Sequence, residues 1–465
     1  MNFEKFLSYS NLEEKAHQKE GVEWCIAREE NYTYCRGGII ADEMGLGKTI
    51  TMIATMMVNF KLPNLIVLPV VLLEQWKDQF QRTTGHTPLI YHGQVKKVIT
   101  KDQLQHIPIV LTTYGTVNSD AKHEKKLQGV RWSRVICDEA HHMRNKRSKI
   151  VSAISSLQRT ITWLITGTPI QNHINDLYSL FDVLKISNKV YTDIEKLRDI
   201  IDKVVLKRTK EQAGVEMPAI HLNRVTSRWT SVCEKKLSMD VHDKLAFSEL
   251  DTKPVPHTMK LAMMMYARMM CVYPQLMTPH LDKLSELGIV EQDSLTGINH
   301  HSKLDEVVEL VLKRKDNKNR KIIFTNFKTE ADYLTVILQD KGLKVASIDG
   351  RITSKYKRKQ LLNTSDLDVL ILQIKTGNEG LNLQDYNEVY FITPQWNPKV
   401  EEQAIARCHR MGQKKDVHVF RFIMDNFDDD NRTSTSNIEM YTENIQDEKN
   451  KLEQKTMTPI ITATV

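Results

Sequence analysis

The chain has 465 residues, more than a single core of roughly 250 to 300 residues can organise, so two large domains are expected. With 41% hydrophobic and 26% charged residues, 18 glycines and 13 prolines, the composition excludes a fibrous repeat and a disordered chain. The net charge of +7, from 65 basic and 58 acidic side chains, permits nucleic-acid binding without establishing it.

From the N-terminus onward, MNFEKFLSYS is charged by residue 4 and has neither an apolar core nor a small-residue cleavage site, so an intracellular protein is expected. The first set of β-type runs is NLIVLP (64–69), PIVLT (108–112), RVICD (134–138) and TWLIT (162–166). Continuous apolar strands need burial on both sides, so the alternation with polar and helical sequence predicts a parallel sheet covered by helices on both faces. The longest apolar run, Leu65 to Leu73, contains a proline and is well short of the ~20 residues that span a bilayer, so no membrane passage is expected. From about Ile170 to Asn299 strand-like runs are sparse, and the methionine-rich stretch Met259 to Met277 reads as core packing by adaptable side chains. A second set of strands follows at KIIFT (321–325), KVASI (344–348), DVLILQI (368–374), EVYFIT (388–393) and VHVFRFI (417–423). The expected fold class is α/β with two parallel-sheet lobes and a helical insertion between them. The charged amphipathic stretch IEMYTENIQDEKNKLEQ is expected to form a helix that braces the lobes. Six cysteines (Cys25, Cys35, Cys137, Cys233, Cys271, Cys408) form no CxxC pair, so neither a disulfide framework nor a zinc site is expected.

The chemistry concentrates in three places. ADEMGLGKT, Ala41 to Thr49, follows the apolar Ile39 and Ile40 and leads into the helix-forming ITMIATMMV. Strand, glycine loop and helix in that order aim backbone amides at an anion, with Lys48 reaching the β and γ phosphates and Thr49 a ligand to magnesium. RVICDEAHH supplies the matching apolar strand ending in acid: Asp138 to hold magnesium through water, Glu139 to orient and deprotonate the attacking water. His141 reads as a relay to neighbouring loops, since the His141–His142 doublet lacks the further His or Cys that zinc would need. In WNPKVEEQAIARCHRMGQ, Asn397 can cap a helix with Pro398 at its first position. Gln403, Arg407 and Arg410 stand four and three apart, which places all three on one helix face as a source of arginine fingers.

These residues identify a family. The chain resembles the Swi/Snf-type ATPases of helicase superfamily two, the DNA translocases of chromatin remodellers and related repair and transcription factors. The resemblance runs in order through HQKEGVEW (17–24), GGIIADEMGLGKT, LPVVLLEQWKDQF, DEAH, TGTPIQN (166–172), LKRTK (206–210), IFTNF (323–327), IDGRITS (348–354), TGNEGLNLQ (376–384) and the WNP to HRMGQ segment. It departs from the usual pattern at Lys207, where arginine is common, at Asn378, where a second glycine is common, and in IFTNF. None of these removes a catalytic group, so an active enzyme is expected.

The resemblance implies RecA-like lobes at 1–225 and 301–465, separated by a helical protrusion and connection at 226–300. It implies ATP and Mg2+ as cofactors, with Gln18 reading the base and Gly45, Leu46, Gly47, Lys48, Thr49 and Gln403 around the nucleotide. Thr166, Gly167 and Thr168 would join His141 in coupling. Phosphate contacts to double-stranded DNA are expected from Gln75, Trp76, Lys77, Thr113, Arg144, Asn145, Arg351, Asn382 and Trp396, and such contacts carry little sequence information. The basic stretch KRKDNKNRK (313–321) is a further surface that could meet DNA or serve as a nuclear address. The expected function is a DNA-stimulated ATPase that translocates on duplex DNA and remodels or displaces bound proteins, nucleosomes among them, with targeting subunits as further partners. A strand-separating helicase and a nucleotide-binding scaffold without turnover are the alternatives. The expected location is the nucleus, or the replication and transcription site of a virus.

Overall fold

The apolar runs of the first lobe all become strands of one parallel sheet. A computed structural model describes every residue except 1, 171–172, 246–256, 292, 296–297, 299–300, 353–354, 363, 365, 375–380, 382, 430–431 and 462–465. It contains two compact units, Met1–Glu216 with Lys451–Val465, and Met217–Asn450.

Among the described residues, the sheet of the first unit comprises β1 (Gly37–Ile40), β2 (Asn64–Leu68), β3 (Leu89–Ile90), β4 (Ile109–Thr113), β5 (Arg131–Asp138), β6 (Gln158–Ile165) and β7 (Val205–Leu206), in the order β3-β4-β2-β5-β6-β1-β7. Successive residues serve opposite faces. Leu65, Val67, Val135, Cys137 and Leu164 enter one core; Ile66, Leu68, Ile136, Trp163 and Ile165 enter the other. This two-sided burial is why the strands read as unbroken apolar runs. β1 is short and glycine-rich because it is squeezed between β6 and β7. A Cβ on Gly37, whose φ is 107°, would stand 2.0 Å from the carbonyl oxygen of Thr162, and one on Gly38 would stand 2.5 Å from that of Val204. The helix Ala16–Glu30 is fastened to the sheet by a buried ion pair: Arg134 Nε and Nη2 donate to the two Glu29 oxygens at 2.6 Å each, and Trp163 Nε1 donates to Glu29 at 2.9 Å.

The second unit repeats the plan with β8 (Ile220–Ser227), β9 (Lys321–Thr325), β10 (Val345–Ile348), β11 (Val369–Gln373), β12 (Glu388–Phe391) and β13 (Val417–Met424), all parallel in the order β10-β11-β9-β12-β13-β8. Residues 220–227 pair with β13, and the two compact units divide at Glu216/Met217, ahead of the lobe boundary expected at 225. Helices Val232–His242 and His257–Val272 form a separate core containing Met263, Met270 and Met277, to which Ile438 of the C-terminal helix Ile438–Ile461 contributes. That helix is pinned by Glu439, which pairs with the fully buried Lys303 and accepts Met424 N–H at 2.9 Å. In KRKDNKNRK three of the six basic side chains are committed to structure: Arg314 and Lys321 pair with the buried Glu388, and Arg320 stacks on Tyr386, while Lys313, Lys315 and Lys318 are exposed.

Candidate nucleotide site

In the first unit the chemistry-bearing segments begin where four neighbouring strands stop. The register pairs Asp138 with Ile165, Ile165 with Ile40, and Ile40 with Leu206, so one row crosses β5, β6, β1 and β7. The residues that follow this row are Glu139, Thr166, Ala41 and Lys207. Ligands of open α/β sheets bind outside the carboxyl ends of the strands, and that is where these loops lie.

After β1, Gly45 and Gly47 take φ of 95° and 80°, and Gly47 caps the helix Lys48–Val58. The loop therefore presents a helix N-terminus, a ready anion site. Lys48 Nζ folds back on its own loop, donating to the carbonyls of Asp42 at 2.8 Å and Glu43 at 3.4 Å. Thr49 follows in the first helical turn, half-buried. Gly167 lies beside this lysine, for a Cβ there would be 3.7 Å from Nζ.

The two carboxylates at the start of this loop point away from it. Asp42, 2% exposed, accepts Arg208 N–H at 3.0 Å and Nε at 3.1 Å on Oδ1, and Nη2 at 2.7 Å on Oδ2. Glu43 accepts the backbone N–H of Lys210 at 2.9 Å and pairs with its ammonium at 3.2 Å. Arg208 also donates to the His17 carbonyl at 2.7 Å, while His17 Nε2 reaches the Leu46 carbonyl at 3.1 Å. Burial holds the His17 pKa below its ordinary value, which keeps that ring neutral beside Arg208. Gln18 is 5% exposed, and its amide donates to the Leu46 carbonyl at 3.5 Å. The expected base reader thus reaches a carbonyl of the glycine loop.

At the end of β5, Asp138 is held at both oxygens. Trp76 Nε1 donates to Oδ2 at 2.7 Å and Glu139 N–H donates to Oδ1 at 2.9 Å. Tyr114 Oη donates to the Asp138 carbonyl at 2.6 Å. Burial, then the neighbouring Glu139 charge, pushes the Asp138 carboxyl up to about 6, against the Trp76 bond and the Lys48 charge. Glu139 adopts the left-handed conformation, φ 50° and ψ 50°, an arrangement that non-glycine residues keep only where surroundings impose it. Its carboxylate lies 3.3 Å from His141 Nδ1, and His141 stacks on His142 with centroids 4.9 Å apart. After β6, Thr166 N–H donates to the Ile40 carbonyl at 3.0 Å, and its hydroxyl accepts Thr168 N–H at 3.2 Å, so this turn is tied to β1.

The expected DNA contacts divide. Gln75 and Lys77 on the helix Leu73–Thr84 face outward, as do Arg144 and Asn145, which line an open cleft of 720 Å³ with Tyr178 and Tyr191. Trp76 does not join them: it is 1% exposed and spent on Asp138. Thr113 is likewise buried, its hydroxyl capping the helix Tyr114–Lys122 by accepting Thr116 N–H at 3.1 Å. Arg351 is committed to Asp332 and Asp349, with contacts of 2.6 to 2.9 Å. The Trp396 ring packs into the helical core against Tyr441 and Arg268. Asn382 lies outside the described residues.

In the second unit the helix Pro398–Cys408 starts as expected, with the Asn397 side chain accepting Lys399 N–H at 3.0 Å. It ends at Cys408 with His409 as C-cap, so Gln403 and Arg407 share the helix and Arg410 lies beyond it. The expectation of three residues on one helical face is corrected to two. Arg410 still sits near Arg407: burial, then that like charge, lowers its pKa. The residues that motif reading missed are Tyr114 and the inward role of Trp76. Leu73, Trp76 and Phe80 are spaced three and four apart, the signature of a buried helical stripe.

Two family models match this chain: the SNF2-related domain over residues 17–232 and the helicase conserved C-terminal domain over residues 302–412. An uncharacterised ATP-dependent helicase of Mycoplasma genitalium is 27% identical over 95% of this chain and 42% of its own length. The "Probable global transactivator" of Orgyia pseudotsugata multicapsid polyhedrosis virus is 28% identical over 93% of this chain and 89% of its own. The ATP-dependent DNA helicase DDM1 of Arabidopsis thaliana is 27% identical over 88% of this chain and 58% of its own. The chain therefore spans about two fifths of the mycoplasma relative and somewhat over half of the plant one. With both models matched in sequence, one on the segment that carries the phosphate loop and Asp138, the other on the segment that carries Arg407 and Arg410, the chain belongs to the SNF2-related family of ATP-dependent helicases.

Proposed function

We propose that the chain is a DNA-stimulated ATPase that moves on duplex DNA and displaces or remodels proteins bound there. The observation that carries this reading is the row of strand ends, which gathers Lys48, Asp138, Glu139 and the Thr166 turn at one edge of one sheet. The helix N-terminus behind Gly47 and the Lys48 ammonium suit a triphosphate. The donor set suits Mg2+, since the Thr49 hydroxyl and the Asp138 carboxylate are hard oxygens and no soft ligand stands among them. Bound Mg2+ would neutralise charge on the β and γ phosphates. Thr49 and Asp138 would hold it, Lys48 would leave its loop carbonyls for the phosphates, and Glu139 would orient the attacking water and take its proton. Gln403, Arg407 and Arg410 would act on the nucleotide, the arginines offsetting transition-state charge.

Gln75, Lys77, Arg144 and Asn145 are the phosphate contacts this reading retains, because Gln75, Arg144 and Asn145 are exposed and Lys77 is partly so in the first unit. The name of the plant relative, an ATP-dependent DNA helicase, favours DNA as the polymer. The viral and plant relatives also make the nucleus, or the replication and transcription site of a virus, the proposed place of action. Steady-state ATP hydrolysis against free duplex, single-stranded DNA, RNA and nucleosomes tests the proposal. Duplex DNA should stimulate most and Lys48→Ala should reduce turnover to background. Normal hydrolysis by Lys48→Ala would refute the site, and strand displacement without duplex stimulation would favour a conventional helicase.

A further inference from the structure

Asp138 is gripped from two directions by aromatic side chains whose elements begin the surface expected to meet DNA. β4, β2 and β5 are neighbours, and one row joins Thr112, Val67 and Cys137. The segments that follow are therefore adjacent: helix Tyr114–Lys122 after β4, helix Leu73–Thr84 shortly after β2, and Asp138 at the end of β5. Tyr114, the first residue of its helix and 6% exposed, donates to the Asp138 carbonyl. Trp76 donates to the Asp138 carboxylate across 62 positions of sequence.

The helix Leu73–Thr84 has two working sides. Leu73, Trp76 and Phe80 face inward, 3%, 1% and 0% exposed, while Gln75 is exposed and Lys77 is a third exposed along its side chain. At about 100° per residue Gln75 and Lys77 flank Trp76 on one rigid turn, so a force on either reaches the indole. The indole N–H has lost water and finds its partner in the carboxylate, a charge-assisted bond in a buried site. With Oδ1 taken by Glu139 N–H, Trp76 is what fixes the remaining oxygen.

We propose that Trp76, supported by Tyr114, is a positioning residue: it aligns Asp138 and makes that alignment answer to whatever binds the outer side of helix Leu73–Thr84. This rests on the reading of the chain as a DNA-stimulated ATPase. Contact of Gln75 and Lys77 with DNA restrains the helix, the indole holds Oδ2, and the carboxylate stays in the orientation that hydrolysis needs.

The test compares Trp76→Phe with Trp76→His in the full chain. Both lose the benzo ring and share its packing cost, but an imidazole Nε2–H can occupy the ring position of the indole N–H, so their difference isolates the donor. Thermal melting of both establishes that they fold alike. Trp76→Phe should lower the maximal DNA-stimulated rate by about 10- to 100-fold, the range typical for partners that orient metal ligands. It should also raise the Mg2+ concentration needed to bind a fluorescent ATP analogue, a readout that needs no turnover, and leave the DNA concentration for half-stimulation unchanged. Trp76→His should restore much of both. Gln75→Ala and Lys77→Ala should differ from Trp76→Phe by raising the half-stimulating DNA concentration, and should also lower the rate at saturation as the restraint on the helix is lost. Equal impairment of the Phe and His variants overturns the proposal, as does a shift in DNA half-stimulation by Trp76→Phe matching that of Gln75→Ala. Failure of any DNA to stimulate the wild type would instead remove the underlying reading, and the Mg2+ comparison of the two variants would still decide whether Trp76 orients Asp138.

Discussion

Asp42→Asn tests why a phosphate loop should open with acid. In the native loop Asp42 takes three donors from Arg208, two of them from the guanidinium. Asparagine keeps the shape and one acceptor oxygen but no charge, leaving a guanidinium whose side chain is 14% exposed without its main counter-charge. Breaking a buried pair at one partner costs about 3–5 kcal/mol. The His17 carbonyl at 2.7 Å and Glu20 at 3.5 Å still serve Arg208, which places the expected loss near the lower end, about 3 kcal/mol. For a unit of this size that is a fall in melting temperature of roughly 6–12 °C. Because the Arg208 clasp fixes the start of the loop that carries Lys48, ATP affinity should weaken in the same variant. Differential scanning calorimetry resolves the melting of the first unit from the second, and fluorescent-nucleotide titration gives the affinity. A melting temperature within about 1 °C of wild type, with unchanged nucleotide binding, would refute the assignment of Asp42 to the Arg208 clasp.

Glu29→Ala strands Arg134, which is 0% exposed, so the first unit should lose about 3–5 kcal/mol while the second melts as before; calorimetry checks both. Lys303→Met alone should cost the second unit a similar amount by orphaning Glu439, and adding Glu439→Leu should return a large part of it, read from a double-mutant cycle. Glu330 is fully buried, and desolvation pushes its carboxyl up from 4.5 to about 7 despite bonds from Asn326 and Phe327 N–H. A carboxyl whose folded pKa is raised favours folding while protonated and loses that contribution as pH rises. The second unit of wild type should therefore lose stability relative to Glu330→Gln between about pH 4.5 and 7, measured by melting at each pH.

The strands were legible because burial on both faces leaves no polar residue to interrupt them, as in NLIVL and VLILQ. β3 and β7 were not, being two residues each, and β8 was not because its exposed His221, Asn223 and Arg224 break the apolar pattern at a sheet edge. The expectation for Lys48, Thr49, Asp138 and Glu139 rests on local spacing, since a glycine loop before a helix and an acid-ended strand are short contiguous motifs. The partners of these residues were not legible, because Arg208 meets Asp42 across 166 positions and Trp76 meets Asp138 across 62. Assigning Trp76 to DNA followed its motif and overlooked its stripe. The same reading missed that Arg351 has two acidic neighbours, because Asp332 comes from another turn of sequence.

Groups in and beside the expected nucleotide site are thus held by residues from other elements: Asp138 by Trp76 and Tyr114, the Leu46 carbonyl by His17 and Gln18, and the Asp42 carboxylate, turned away from the loop, by Arg208. Arg208 joins the most segments, because it bonds Asp42 on one side and the His17 carbonyl on the other, so the phosphate loop, the N-terminal helix and the segment after β7 share one guanidinium. Variants within such a unit remove the same interactions from different ends, so their costs must fall short of additivity. Asp42→Asn combined with Arg208→Met should therefore cost less than the sum of the single changes, since methionine removes the stranded charge along with its donors. Strict additivity in that cycle, read by calorimetry and nucleotide binding together, would mean that the two residues act independently and that the acidic start of the loop serves some other purpose.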